Sequence, residues 1–219
     1  MIKRFNIAGI AMCLFVMLAA VQGRAGSITY HLRMDGNVPE QAVLFVGDSI
    51  TEALCVAAVT ERGVNYGIGG DTTSGVFTRI NQYESRKRVR AIVIAIGVND
   101  IARGVKDPQI FQNYKLILQS MPRTTPVVFS AILPVDSRLV SYEPLRNDRI
   151  AAVNRKAQKI CAEFSNCHFI DSGPKMLDAD GMLAAAYHEG DGIHLGTEGY
   201  KVWIADLSEA LNLLSENKE

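Results

Sequence analysis

Residues 43–52 read Val43-Leu44-Phe45-Val46-Gly47-Asp48-Ser49-Ile50-Thr51-Glu52. Four apolar, strand-prone residues run into a glycine, an aspartate and a serine, and helix-forming composition follows at Thr51-Glu52-Ala53-Leu54. An apolar run without alternation is what a strand buried on both faces of a parallel sheet requires. The stretch therefore predicts a buried parallel strand, a tight turn and a helix start. A serine at that corner sits at the carboxyl end of a strand, the edge of an open α/β sheet where ligands bind. It also stands beside a helix N-terminus, which favours negative charge. Ser49 is placed either to act as a nucleophile or simply to cap the helix, as serines there often do. The stretch alone does not choose.

Working outward, residues 26–41 carry Ile28-Thr29-Tyr30-His31-Leu32 and then Asp35-Gly36-Asn37 and Pro39, read as an extended lead-in and a turn. The helix from Ser49 is expected to run to about residue 59. A short strand, Val64-Asn65-Tyr66, leads into Gly67-Ile68-Gly69-Gly70-Asp71-Thr72-Thr73, where the glycines permit a tight loop and close backbone approach to a ligand. Asp71, Thr72 or Thr73 can cap the next helix, through Val76, Phe77 and Ile80. Residues 91–96 are apolar on both faces and predict a central strand, ending at Gly97-Val98-Asn99-Asp100. Asp107-Pro108 offers an N-cap and a first-turn proline for a helix through Phe111, Tyr114, Ile117 and Leu118.

A fourth strand over 126–132, a polar loop to about 142, a helix over about 143–164 and a fifth strand, Cys167-His168-Phe169-Ile170, follow in turn. After an irregular stretch comes Asp191-Gly192-Ile193-His194. The last helix then places Tyr200, Trp203, Ile204, Leu207, Leu211 and Leu214 at spacings of three and four. Five strands alternating with helices predict an α/β protein, a three-layer α/β/α sandwich around a five-stranded parallel sheet.

A chain of 219 residues, 48% hydrophobic and 21% charged, suits one domain with a full core. Residues 26–219 are read as that domain. In residues 1–25, Lys3 and Arg4 precede an apolar run over 7–21 that gives way to small residues, the pattern of a secretory signal peptide cleaved after Gly23 or Ala25. About 15 apolar residues fall short of the roughly 20 needed to span a bilayer, so no stable membrane insertion is expected after cleavage. The expected location is periplasmic or extracellular. Losing Lys3, Arg4 and Arg24 takes the balance from 23 basic and 23 acidic residues to 20 and 23, a formal net charge of −3. Such a balance gives no electrostatic footprint for nucleic acid. The basic run Arg86-Lys87-Arg88-Val89-Arg90 reads as a solvated connection.

Export permits cysteine pairing. Cys161 and Cys167 fall near a helix end and a strand start, so a local bridge between them is open, whereas Cys55 reads as a small buried apolar residue. No Cys and His set has zinc-site spacing, so neither metal nor cofactor is expected.

Three strand ends deliver polar or glycine residues to one sheet edge: Gly47-Asp48-Ser49, Gly69-Gly70-Asp71 and Gly97-Val98-Asn99-Asp100. The segment before the last helix adds Asp191 and His194. Acyl transfer needs a hydroxyl nucleophile, an imidazole to take and return its proton, a group to orient the imidazole, and N–H donors for the oxyanion. All four are available here. Asp191 and His194, three apart in a glycine-containing turn, let one loop present the imidazole while the carboxylate holds its other nitrogen. Asp48, Asp71 and Asp100 read as loop braces or caps, Trp203 as core, and His31, His168 and His188 as surface or strand-end residues, with His188 near the rim.

These four blocks, in this order over about 43–200, resemble the motif blocks of the SGNH hydrolases, the GDSL esterase/lipase family. The resemblance implies a flavodoxin-like sheet, Ser49 as nucleophile, His194 as general base and acid, and Asp191 as its orienting carboxylate. It implies an oxyanion hole from the Ser49 N–H, the Gly70 N–H and the Asn99 side-chain amide, with Gly69 as the alternative to Gly70. Ile50 stands where many members have leucine. The implied activity is a secreted serine esterase acting on small-molecule or glycan esters: acetylated glycans, short-chain or aryl esters, thioesters or lysophospholipids. An O-acyltransferase with a sugar acceptor would use the same residues, and a non-catalytic phosphate- or carbohydrate-binding protein is the reading from another class. The Gly67–Thr73 loop lacks the Gly-Lys-Ser/Thr ending of a P-loop. The loops near 52–63, 133–142 and 172–190 are expected to shape the acyl pocket. Oligomeric state is not written in the sequence.

Overall fold

The structure is a computed structural model that describes residues 25–216. The leader expected over residues 1–25 lies, but for Ala25, outside them. Five strands form: β1 (Val43–Gly47), β2 (Gly63–Gly67), β3 (Ala91–Ala95), β4 (Val127–Ser130) and β5 (Cys167–Ile170). Every neighbouring pair is parallel, and the sheet order is β2-β1-β3-β4-β5. The unbroken apolar runs of β1, β3 and β4 follow from burial on both faces, whereas β2 and β5 lie at the edges and are partly exposed.

The chain turns one way from β1 to reach β2 and then crosses back to lay down β3 on the other side of β1. Strand order thus reverses between β1 and β3, the place where an open α/β sheet opens a crevice at the strands' carboxyl ends. β1 and β3 run in register from Val43 opposite Ala91 to Gly47 opposite Ala95, so both finish level at that crevice.

Seven helices surround the sheet among the described residues: α1 (residues 25–35), α2 (Ser49–Glu52), α3 (Thr73–Ile80), α4 (Val98–Ala102), α5 (Asp107–Gln119), α6 (Asn147–Cys161) and α7 (Thr197–Glu216). Adjacent residues of a strand point to opposite faces. Phe129 meets the Tyr114 ring of α5 edge-on at 5.0 Å, while Ser130 accepts a 3.1 Å hydrogen bond from the Trp203 indole of α7. Helices α3, α5 and α6 form one layer, and α7 covers the opposite face. Trp203 is core, as expected, at 1% exposure.

Several expectations need correction. Residues 25–35 are helical, not extended, and their inner face is polar and aromatic. Asp35 accepts hydrogen bonds from the Ser85 N–H, the Ser85 hydroxyl and the Tyr66 hydroxyl, and His31 is buried in a stack on the Tyr66 ring. Helix α2 stops at Glu52 instead of reaching residue 59, because the Asn65 side-chain amide gathers the carbonyls of Thr51, Glu52 and Leu54 at 2.8, 3.2 and 3.1 Å. Cys55 consequently leaves the helix and is exposed rather than buried. Asp107 is the first residue of α5 and not its cap, and its carboxylate takes an ion pair with Arg149 at 2.8 Å. Helix α6 occupies Asn147–Cys161, shorter at both ends than expected, since Asn147 turns its side chain onto the backbone of Val135. The basic run 86–90 is no free solvated stretch: Arg86 donates to the Tyr83 carbonyl, Arg88 to the Asp35 carbonyl and Arg90 to the Ser215 hydroxyl. Cys161 and Cys167 are joined by a disulfide, with their Cα atoms 5.3 Å apart.

Candidate active site

Each strand that ends at the crevice hands one polar group to it. β1 passes through extended Asp48, whose carboxylate accepts the Ile50 N–H at 3.1 Å and so caps α2, leaving Ser49 as the first helical residue. Ser49 is therefore not the cap. The Gly47 carbonyl accepts from the Ile68 N–H and from the Arg79 guanidinium, both at 3.0 Å. Arg79 is buried and forms an ion pair with buried Asp71 at 2.8 Å, which fastens the glycine loop to the end of β1. In that loop Gly70 adopts φ +67°, a left-handed conformation that glycine alone reaches at little cost. Thr72 caps α3.

β3 ends at Gly97, and α4 then presents Asn99 on its first turn. The neighbouring Asp100 points away from the crevice. Its carboxylate accepts the Thr73 N–H at 2.9 Å and the Thr73 hydroxyl at 2.7 Å, locking α4 to α3. The remaining groups come from the loop before α7. Asp191 Oδ1 accepts the N–H groups of Ile193 and His194, both at 2.9 Å, and Oδ2 lies 2.5 Å from His194 Nδ1. The other ring nitrogen, Nε2, lies 2.9 Å from Ser49 Oγ. A carboxylate is only an acceptor, so Nδ1 carries the proton and Nε2 is free to accept from the serine hydroxyl.

Ser49, Asn99, Asp191 and His194 line one cleft of about 440 Å³, together with Arg103 and the 139–142 segment. Gly70 stands beside this cleft and is joined to it by Arg103, which donates to its carbonyl at 2.8 Å. The amide nitrogen of Asn99 is buried without any hydrogen-bond partner, and the N–H groups of Ser49 and Gly70 enter no turn, cap or loop bond among the described residues. Buried donors without partners are uncommon, because leaving one unpaired costs roughly 1–3 kcal/mol. An incoming oxygen would relieve that cost. Of the loops expected to shape the pocket, only 133–142 reaches the cleft; 52–63 and 172–190 do not line it. A cavity of similar size, about 400 Å³ between α6 and the 171–181 segment, contains no hydroxyl–imidazole pair.

Electrostatics separate the carboxylates around the crevice. Partial burial alone would raise the Asp191 carboxyl, but bonds from the His194 ring and from two backbone N–H groups outweigh it and hold Asp191 below the ordinary range. Asp191 is thus an anion facing the imidazole. Burial pushes Asp48 up to about 7, against the pull of the Ile50 N–H, and the charge of Asp71 adds to the rise. Asp100 is likewise raised by burial, opposed by its bonds from Thr73. The last two brace the backbone, as their place in the sequence suggests.

Four residues that shape the site escape the sequence reading. Arg79, Asn65 and Arg103 act through backbone carbonyls of other segments, which no local pattern announces. His188 is buried, not a rim residue: its Nδ1 accepts the N–H groups of Gly190 and Gly192 at 2.9 and 3.3 Å, folding the loop that carries Asp191 and His194. A signal for it existed in the glycines two and four residues downstream.

The family model for the GDSL-like Lipase/Acylhydrolase family matches residues 45–202, the span that includes all five candidate positions. The chain belongs to this family. Among similar proteins, the platelet-activating factor acetylhydrolase IB subunit alpha1 of Rattus norvegicus is 27% identical over 205 residues, covering 90% of this chain and 86% of that protein. A solved structure from Streptococcus pneumonia, provisionally described as a platelet activating factor, superposes with a TM-score of 0.83 at 25% identity, covering 92% of this chain and 99% of the other. An acetylxylan esterase of Geobacillus stearothermophilus, solved as a catalytic mutant, shares the fold with a TM-score of 0.61 at 18% identity, over 78% of this chain and 94% of its own. This GDSL acylhydrolase is accordingly an ester-hydrolysing enzyme built on the parallel five-stranded fold of its relatives.

Proposed function

We propose that this acylhydrolase is an exported serine esterase that removes short acyl groups, acetyl foremost, through an acyl-serine intermediate. The observation that carries this reading is the contact of Ser49 Oγ with His194 Nε2 at 2.9 Å, opposite the unpartnered amide of Asn99. In this reading Ser49 Oγ attacks the ester carbonyl carbon while His194 takes the hydroxyl proton, and Asp191 stabilises the imidazolium through Nδ1–H. The carbonyl oxygen, now negative, accepts from the Ser49 N–H, the Gly70 N–H and Asn99 Nδ2. Collapse expels the alcohol, which leaves with the proton from His194. Water then attacks the acyl carbon as His194 takes its proton; the bond to Ser49 Oγ breaks, His194 returns the proton to Oγ, and the acyl group leaves as the carboxylic acid.

Acetyl as the acyl group is supported by the names of the acetylhydrolase and the acetylxylan esterase that the chain resembles. The exposed Leu139 and Tyr142 at the cleft would meet the alcohol portion. Export is supported by the leader pattern over residues 1–25 and by the Cys161–Cys167 disulfide, a bond that is characteristic of oxidising compartments and rare in reducing ones.

The test is covalent labelling with a fluorophosphonate alongside hydrolysis of p-nitrophenyl acetate. Wild type labels and turns over, Ser49→Ala does neither, and Asn99→Ala loses on the order of 10²–10³ in kcat. Absence of both signals in wild type sinks the reading, and labelling that survives Ser49→Ala names a different nucleophile. An ester series of increasing acyl length should show a maximum at the shortest acyl chains.

A further inference from the structure

Arg103 follows α4, one helical turn beyond Asn99, whose carbonyl accepts the Arg103 N–H at 3.1 Å. Its side chain reaches back across the cleft edge, where Nη2 donates to the Gly70 carbonyl at 2.8 Å. Arg103 is otherwise exposed. An exposed arginine usually contributes little to stability, yet this one contacts the glycine loop at the residue whose N–H the esterase reading uses.

The two donors it connects arrive by separate routes. Gly70 follows β2 and Asn99 follows β3, and β1 lies between those strands. Asp100 ties α4 to Thr73, and Asp71 is held by its ion pair with Arg79 and by its N–H bond to the Ile68 carbonyl, whereas the Gly70 N–H, on the preceding peptide, enters no such turn or loop bond among the described residues. At φ +67° Gly70 can rotate into other basins at small steric cost, and rotation would swing its N–H out of line. A bond to the Gly70 carbonyl opposes that rotation. A Cβ built on Gly70 would sit 3.3 Å from Arg103 Nη2, so the guanidinium packs closely against this residue as well as bonding to its carbonyl.

We propose that Arg103 is a positioning residue: by holding the Gly70 carbonyl, it sets the Gly70 N–H and the Asn99 amide at the spacing that a transition-state oxyanion requires. This rests on the esterase reading of Ser49, Gly70 and Asn99 above. The effect belongs to the transition state more than to substrate binding, since the charge those donors meet appears only as the tetrahedral species forms. Misplacing a catalytic group by about 1 Å can cost on the order of 10²-fold.

The test compares wild type with Arg103→Met, Arg103→Lys and Arg103→Gln on p-nitrophenyl acetate, with phenylboronic acid as the inhibitor whose serine adduct places an oxygen in the hole. Arg103→Met should lower kcat by about tenfold to a hundredfold while KM moves by less than about threefold. Its boronate inhibition constant should rise in step with the kcat loss. Arg103→Lys and Arg103→Gln, each keeping an N–H donor, should recover part of that loss, and they serve in place of the Met variant if its melting curve shows misfolding. Wild-type kcat in Arg103→Met overturns the proposal. So does an effect confined to KM, which would make Arg103 a substrate contact. If wild type itself neither labels nor hydrolyses, the esterase reading has failed, and this inference falls with it for that separate reason.

Discussion

At the scale of single residues, burial overrides the ordinary protonation preferences of two groups, Asp48 beside the crevice and His31 on α1, in opposite directions. Burial raises the Asp48 carboxyl from its usual 3.8 to about 7, and burial, helped by the Arg79 charge, lowers the His31 ring from 6.5 to about 4. The fold disfavours the Asp48 anion, so its penalty on stability is absent below about pH 3.8 and grows until the pH reaches about 7. It disfavours the His31 cation, so that penalty is absent above about 6.5 and grows as the pH falls towards 4. Asp48→Asn should therefore gain stability relative to wild type as pH rises from about 4 to 7, by up to a few kcal/mol, whereas His31→Gln should gain relative to wild type as pH falls through the same window. Melting temperatures of the three proteins across that range check both slopes; parallel curves would show that neither group titrates as the fold dictates. Ser49 is legible because it follows the break of an apolar run at Gly47, and Asp191 and His194 because they flank Gly192 three residues apart just before an amphipathic helix. His31 is not legible, since a histidine among Thr29, Tyr30 and Leu32 fits an extended alternation as well as the helix that is found.

At the scale of elements, legibility follows the origin of the ordering force. The inner strands are readable because burial on both faces leaves an unbroken apolar run, and even the partly exposed edge strand β5 matches its expected limits residue for residue. Helix ends are less readable, because partners far along the chain decide them. Asn65 stops α2 across a strand boundary, and Arg149 converts Asp107 from an expected cap into an ion-pair acid. The helix at residues 25–35 does carry a spacing of three and four in Ile28, His31, Leu32 and Asp35, but two of the four positions are polar, so a purely apolar template passes over it. The disulfide from the end of α6 to the start of β5 staples an edge strand to the helix that precedes it, across a separation of 6 residues. A loop so short constrains the unfolded chain modestly, by about 2 kcal/mol. Replacing Cys161 and Cys167 by alanine should lower stability by that amount in chemical denaturation. Thiol counting under denaturing, non-reducing conditions on the chain from residue 26 should find one free thiol, Cys55; a count of three would remove the staple.

At the scale of the whole molecule, the reversal of strand order between β1 and β3 gathers groups from residues 49 to 194 into one crevice. No segment contains the site: Arg79 fastens the glycine loop to β1, Asp100 ties α4 to α3, and His188 folds the loop that carries Asp191 and His194. The motif blocks are therefore readable one by one, while the braces between them become visible only in three dimensions. The opposite face of the sheet enters the site as well. Trp203 is the single tryptophan in the chain. Its ring borders a void of about 20 Å³ that it shares with Asp48 and Ile50, the two neighbours of Ser49 in sequence. The ultraviolet emission of this one indole thus originates beside the two residues that flank Ser49, the proposed nucleophile. Mixing the enzyme rapidly with an ester should let the rise and decay of an acyl-serine be followed as a transient in that emission, with no label attached, and Ser49→Ala should give a flat trace.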